Sequence, residues 1–90
     1  MTLEIITPEA NLFTGEVSSV SLPGLDGIFQ VLNNHAPIIS SLKTGILQFE
    51  TKGTVDQLNP SFKVSGSTVS IEIKGGVAEL NNNKLIVLAD

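Results

Sequence analysis

Ninety residues carry five lysines, no arginine and nine carboxylates, a net charge of −4, with no cysteine, tyrosine or tryptophan. Such a chain has no basic stripe to release phosphate counterions and no stacking platform for bases, which excludes nucleic acid, and an anionic membrane surface would repel it. The length fits one domain, residues 1–90, and the missing thiols exclude a disulfide framework and a thiolate metal site.

In chain order, Leu3 and Ile5 alternate with Thr2 and Glu4, and this first strand stops at Thr7-Pro8. The same opening, M-T-L-E-I-I-T-P, lacks the basic start and the apolar length of a signal peptide. No apolar run approaches the roughly 20 residues of a membrane span, so the composition reads as a soluble cytoplasmic domain. Leu12-Phe13 is a short apolar pair before Gly15. Val20 and Leu22 then point opposite to Ser19 and Ser21, the period of a half-buried strand. Pro23-Gly24 predicts a type II turn, with proline fixing φ and glycine supplying a positive φ. Asp26-Gly27 favours a further tight reversal, so residues 24–28 form a loop between two strands. Phe29 and Val31 resume the alternation, and Asn33-Asn34-His35-Ala36-Pro37 turns the chain again.

Residues 38–42 fit a strand or a single helical turn. Gly45 opens a strand whose Leu47 and Phe49 share a face. Lys52-Gly53 and Asn59-Pro60 predict turns, and Phe62 and Val64 alternate with Lys63. Val69, Ile71 and Ile73 against Ser70, Glu72 and Lys74 form the cleanest amphipathic strand. Gly75-Gly76 permits a bulge or a close backbone approach, and the Asn81-Asn82-Asn83 triplet suits a left-handed turn. Leu85-Ile86-Val87-Leu88 is continuously apolar, as for a strand covered on both faces. No stretch repeats apolar residues at helical spacing. About ten short, mostly antiparallel strands separated by glycine, proline and asparagine turns predict an all-β sandwich or barrel without a substantial helix.

The inventory of reactive groups is thin. His35 is the only histidine; it sits in a turn, and no serine is marked as its nucleophile by a G-x-S-x-G elbow. A hydrogen bond in the turn or a contact with a partner suits it better than catalysis, so a small β-barrel hydrolase is the weakest of three readings. The carboxylates are dispersed, so neither a metal site nor a cofactor site is expected. Lys74 beside Gly75-Gly76 raises a second reading, a lipoyl- or biotinyl-like carrier that presents one lysine on a hairpin. The flanking aspartate and methionine of such carriers are missing, and an outward charge at a strand end also explains Lys74. A binding module is the third reading. Leu25 and Ile28, with Asp26 between them, either stand out as a docking loop or fold back to cap the sandwich.

Residues 13–39 contain F-T-G-E-V-x-x-V-x-L-P-G-x-x-G-x-F-x-V-L-x-x-H-A-P-I-I, and residues 74–90 read K-G-G-V-A-E-L-N-N-N-K-L-I-V-L-A-D. In that order the two segments resemble the β-sandwich domain of the epsilon subunit of F-type ATP synthases. The resemblance implies a sandwich of about ten strands. It also implies a non-catalytic rotor subunit at the cytoplasmic face of a bacterial inner membrane. Carried over residue by residue, it places Gly24, Leu25, Asp26, Gly27 and Ile28 against the membrane c-ring. It places Thr7, His35, Ala36 and Pro37 against the gamma subunit.

Three departures qualify the match. Gln30 replaces the family's usual glycine, and Asn33-Asn34 replaces its Pro-Gly, although asparagine tolerates the left-handed conformation that the corner needs. Between Gly45 and Gly75 the chain is longer than the common pattern, which predicts an extended hairpin around residues 52–60. The sequence ends at Asp90, where the family's carboxy-terminal helical hairpin would begin. The resemblance therefore implies no ATP binding and no arrest of rotation by that hairpin.

Overall fold

A computed structural model describes residues 1–52 and 60–90. Among them are seven strands and no helix: β1 Thr2–Ile6, β2 Asn11–Gly24, β3 Gly27–Leu32, β4 Ile38–Thr51, β5 Lys63–Ser65, β6 Thr68–Asn81 and β7 Lys84–Ala89. Hydrogen bonding runs in the order β1-β7-β6-β4-β2-β3, with β5 beside β6 and a further pairing of β1 with β2. That last pairing closes the ring β1-β7-β6-β4-β2, so the fold is a barrel-like sandwich. Among the described residues, β1 and β7 run parallel and the other pairs are antiparallel.

The all-β reading therefore holds. The strands are fewer and longer than expected, because β2, β4 and β6 each continue for 14 residues through glycines that read as breaks. Their burial patterns explain how. A strand that stays in one layer buries every second residue. In β4, Leu42 is buried and then Leu47 and Phe49; in β6, Val69, Ile71 and Ile73 are buried and then Ala78 and Leu80. In β2 the buried set passes from Val17 to Val20 and Leu22. Each strand changes parity once, so its two halves serve the two layers of the sandwich. The β4–β6 register stays unbroken from Ile38↔Leu80 to Glu50↔Thr68, so these two strands bend together.

The bend lies where Leu42 faces Gly76 and Lys43 faces Gly75. Gly76 has φ 144°, and a Cβ there would lie 2.1 Å from the Leu88 carbonyl oxygen. Only the missing side chain lets β6 approach β7 this closely. Where β2 crosses β4, Pro23 packs on Gly45, whose Cβ would meet the proline ring at 2.7 Å. Pro23 is thus buried strand, not the second residue of a turn. Its missing donor falls within the register shift between Ser21 and Gly24, where the β2–β4 ladder is already interrupted.

The core is apolar throughout the described residues, with no buried polar side chain. Phe13, Phe49 and Phe62 close one side of it, with ring centroids 4.6 Å apart for Phe13–Phe49 and 6.2 Å for the edge-on Phe49–Phe62 pair. Leu3, Ile5, Leu85 and Val87 of β1 and β7 join the same core, with Ile5 paired to Phe13 across β1 and β2. Residues 38–42, which fitted two conformations, are strand. Val64 does not follow Phe62 inward; it is 55% exposed on β5, a three-residue strand that is exposed throughout. The turns expected at Lys52-Gly53 and Asn59-Pro60, and most of the extended hairpin around them, lie outside the described residues.

At the Asn82-Asn83 turn, φ values of 51° and 58° between the paired Asn81 and Lys84 form a two-residue hairpin of the kind that needs positive φ at both centres. The β5–β6 hairpin is tied to β4 by Glu50, whose carboxylate accepts from the hydroxyls of Thr68 and Ser67. The Thr68 hydroxyl, then that of Ser67, holds the Glu50 carboxyl below the usual value of 4.5.

Two outcomes test this account. Gly76→Ala should lower folding stability by about 2–5 kcal/mol, the combined scale of a forced side chain and a strained backbone, and shift the urea midpoint accordingly. Because its folded-state pKa is lowered, Glu50 contributes stability above pH 4.5 that is lost as pH falls through the folded-state value. The difference in thermal midpoint between wild type and Glu50→Gln should therefore be present at neutral pH and shrink on acidification.

Candidate partner interfaces

The reversal between β2 and β3 is tighter than residues 24–28 suggested. Gly24 pairs with Gly27, which leaves Leu25 and Asp26 as a two-residue tip. The positive φ belongs to Gly27, at 126°, and not to Gly24. Gly24 serves a different need, since a Cβ there would lie 2.9 Å from both the Gly27 carbonyl oxygen and the Phe29 ring. With Phe29 packed against the core, the glycine lets the tip fold tightly over it. Leu25 is 61% exposed and Ile28 78%, and Asp26 is exposed between them. Of the two alternatives for these side chains, the structure shows the outward one. Residues 24–29 border a crevice of about 430 Å3 whose other wall is Ile39, Ser40 and Ser41 of β4. Ile39 is itself 76% exposed, so three exposed apolar side chains and one carboxylate border this crevice.

The corner after β3 is built by asparagines. Asn34 adopts φ 65°, the left-handed conformation that asparagine tolerates and the corner needs. The main-chain N–H of Asn34 donates to Asn83 Oδ1 at 2.8 Å, and Asn83 Nδ2 donates to Asn33 Oδ1 at 2.8 Å. The Met1 amino group also donates to Asn33 Oδ1, at 2.9 Å. One side chain thus ties the corner to the β6–β7 turn and to the start of β1. His35 N–H donates to the Leu32 carbonyl oxygen at 3.1 Å and closes the turn. On the ring, Nδ1 lies 2.8 Å from the Ala36 carbonyl oxygen, so a proton on Nδ1 is directed at main chain and not at a carboxylate or a serine. His35, Ala36 and Pro37 stand together and exposed on this corner.

Thr7 lies elsewhere. It caps the turn between β1 and β2, where its N–H donates to the Ala10 carbonyl oxygen at 2.8 Å. Ile6 before it pairs with Leu88, whereas the corner is tied to Asn83 at the opposite end of β7. The structure therefore separates Thr7 from His35 by the length of β7.

The other chemical readings find little support in the geometry. Lys74 stands within β6, where its carbonyl accepts from Thr44 Oγ1 at 3.0 Å, and not at the tip of a hairpin as a carrier lysine would. Among the described residues, no three His, Asp or Glu side chains are grouped so as to hold a metal ion. No described helix is long and apolar enough to cross a membrane.

Sequence reasoning missed the outward apolar residues Ile39 and Leu88, the latter 53% exposed although the run 85–88 read as covered on both faces. The available signal was the unbroken apolar pairs Ile38-Ile39 and Val87-Leu88. Strict alternation can bury only one member of each pair.

The description "ATP synthase, Delta/Epsilon chain, beta-sandwich domain" belongs to the family model that matches residues 1–90. The ATP synthase epsilon chain of Chlorobium limicola is 39% identical over 88 residues, covering 98% of this chain and 86% of that protein. The ATP synthase epsilon chain of Campylobacter curvus is 40% identical over 88 residues, and there this chain spans 59% of the relative. Among solved structures, a chain of the central stalk and c-ring of the Tetrahymena thermophila mitochondrial ATP synthase superposes with a TM-score of 0.76 at 17% identity. That match covers 98% of this chain and 61% of the other. A chain from the Euglena gracilis mitochondrial ATP synthase gives 0.77 at 21% identity, covering 97% and 48%. At such identities these two likenesses speak to the fold alone.

If the tip is free of the core, Leu25→Ala combined with Ile28→Ala should leave the thermal midpoint within a few degrees of wild type, as for other surface changes. A much earlier melt by calorimetry would place these side chains in the core.

Proposed function

The chain belongs to the ATP synthase delta/epsilon-chain β-sandwich family, and on that premise we propose that it is a non-catalytic rotor subunit that links gamma to the membrane c-ring. In this role it passes the torque of proton or sodium flow to the catalytic head. It is peripheral, held at the cytoplasmic face of a bacterial inner membrane through the complex. Gly24, Leu25, Asp26, Gly27 and Ile28 face the c-ring; His35, Ala36 and Pro37 on their corner, and Thr7 beyond β1, face gamma.

The observation that carries the reading is the tip itself. Two apolar side chains stand exposed on a two-residue hairpin braced by glycine against the core, beside an equally exposed Ile39. An uncovered apolar knob on a short, paired hairpin costs less entropy to dock than an unpaired loop and gains from desolvation. Asp26 within it must meet a cation or hydrogen-bond donors when water leaves. Torque transmission needs such preformed contacts, because a mobile loop would yield before it transmitted force.

In membranes carrying the assembled enzyme, Leu25→Ala with Ile28→Ala should lower retention of both gamma and this subunit on the c-ring. Asp26→Lys should do the same through charge reversal. Full retention of both variants on washed membranes would remove the c-ring assignment. On the other side, His35→Ala should weaken binding to isolated gamma by about 0.5–2 kcal/mol, the scale of one hydrogen bond or a modest contact. An unchanged titration would remove His35 from that interface.

A further inference from the structure

β3 is an open edge of the sheet. Among the described residues it pairs with β2 alone, and its ladder runs from Gly24↔Gly27 to Ser19↔Leu32 without a bulge. Pro23 fixes the phase of that ladder. Having no N–H, it cannot share a reciprocal hydrogen-bonded pair with Ile28, so such pairs fall at Gly24↔Gly27, Leu22↔Phe29 and Val20↔Val31. The main-chain N–H and C=O groups of Ile28 and Gln30 therefore point away from β2, as does the N–H of Leu32. No turn or side chain among the described residues takes up the groups of Ile28 or Gln30, while the Leu32 carbonyl accepts from His35 N–H at 3.1 Å. Open edges of soluble sheets are ordinarily kept short, charged, or broken by proline or a bulge. β5 follows that rule, with three residues and Lys63 among them. β3 does not: it has six residues, none charged and none proline. Its outward side chains Ile28 and Leu32 are 78% and 53% exposed, with Gln30 exposed between them.

We propose that the free chain pairs with a second copy of itself through β3, antiparallel about a two-fold axis at Gln30. Three observations select that occupant. In this register Gln30 meets its own copy in a reciprocal hydrogen-bonded pair, and Ile28 meets the partner's Leu32. The open donors and acceptors are satisfied and the exposed apolar side chains are covered in the same step. Charge points the same way. Each copy carries a net charge of −4, so two copies meet at least cost over surface that holds no charge. β3 is such a surface, and Ser19 and Ser21, beside Leu32 and Gln30 on β2, are neutral as well. A charged partner would find no counterpart there. Finally, two-fold pairing uses the β3 edge of both copies, so the assembly closes at a dimer. The contact is small, hence weak and reversible. It covers Ile28, so on the rotor reading a copy must leave the dimer before its tip can meet the c-ring. The edge pairing itself does not depend on that reading.

The test is sedimentation equilibrium of the isolated full chain. Wild type should show a monomer–dimer equilibrium over about 10–500 μM, the range of small, transient interfaces. The dimer should tighten with added salt, which screens the like charge of the two copies. Gln30→Lys makes the chain less negative, yet it should weaken the dimer about tenfold or more, because it sets two ammonium groups face to face at the axis. Gln30→Pro removes a donor that points away from β2 and should weaken it similarly. Glu72→Lys, separated from β3 by β2 and β4, should not weaken it. Circular dichroism confirms that each variant is folded. Because the chain has no cysteine, mild oxidation of single substitutions reads the register. Gln30→Cys should crosslink to itself, whereas Ile28→Cys should crosslink to Leu32→Cys and not to itself. A wild type that stays monomeric throughout this range, or a dimer indifferent to both Gln30→Lys and Gln30→Pro, overturns the proposal. So does a monomeric wild type whose binding to isolated gamma is lost with Gln30→Lys, since a strand of gamma then occupies the edge.

Discussion

Everything in this molecule depends on a bend shared by neighbouring strands. β4 and β6 stay in register across it, so the hydrogen-bond ladder is kept while the pair passes from one layer to the other. The constraint is steric: at Gly76 the β7 backbone occupies the volume in which any side chain would begin. The same region holds Pro23 against Gly45 and brings Gly24 opposite Leu42, so the β2–β3 tip is braced by the corner that turns the sheet. A 90-residue chain thereby encloses an apolar core without a helix among the described residues and without a buried polar side chain.

How much of this was legible follows from the range of each interaction. Alternation is local, so β1, the middle of β2 and the first half of β6 could be read directly, as could the asparagine turn at residues 81–83. Continuation through Gly15, Gly45 and Gly75-Gly76 was not legible, because a glycine that breaks a strand and one that lets two strands cross look identical without the partner. The expectation of about ten strands has a physical root here. β2, β4 and β6 each lend one segment to each layer, so seven continuous strands present ten segments. Pro23 was misplaced for a related reason: proline and glycine together suit a turn, and only the neighbouring strand shows that they are packed ladder. The exposed state of Leu25 and Ile28 was one of two readings left open, and no local pattern could decide it.

The proposed interfaces divide along the same lines. The loop and the His-Ala-Pro corner were marked by sequence because turns have strong residue preferences and the family shares them. That Ile6, Leu88 and Val77 stand side by side was invisible, since Ile6↔Leu88 and Val77↔Leu88 exist only through register. What sequence did show was the continuous apolar run of residues 85–88, which reads as a strand covered on both faces. The structure buries Leu85 and Val87 and leaves Leu88 outward, 53% exposed.

The central proposal is that two different partners are held on two different surfaces of one sandwich. Photo-crosslinking in the assembled membrane complex tests it most directly, with a photoreactive residue placed at Ile28 in one preparation and at His35 in another. The account predicts adducts with the c subunit from position 28 and with gamma from position 35, each identified by mass spectrometry of the crosslinked peptide. The same partner from both positions, or adducts with neither subunit, would contradict it.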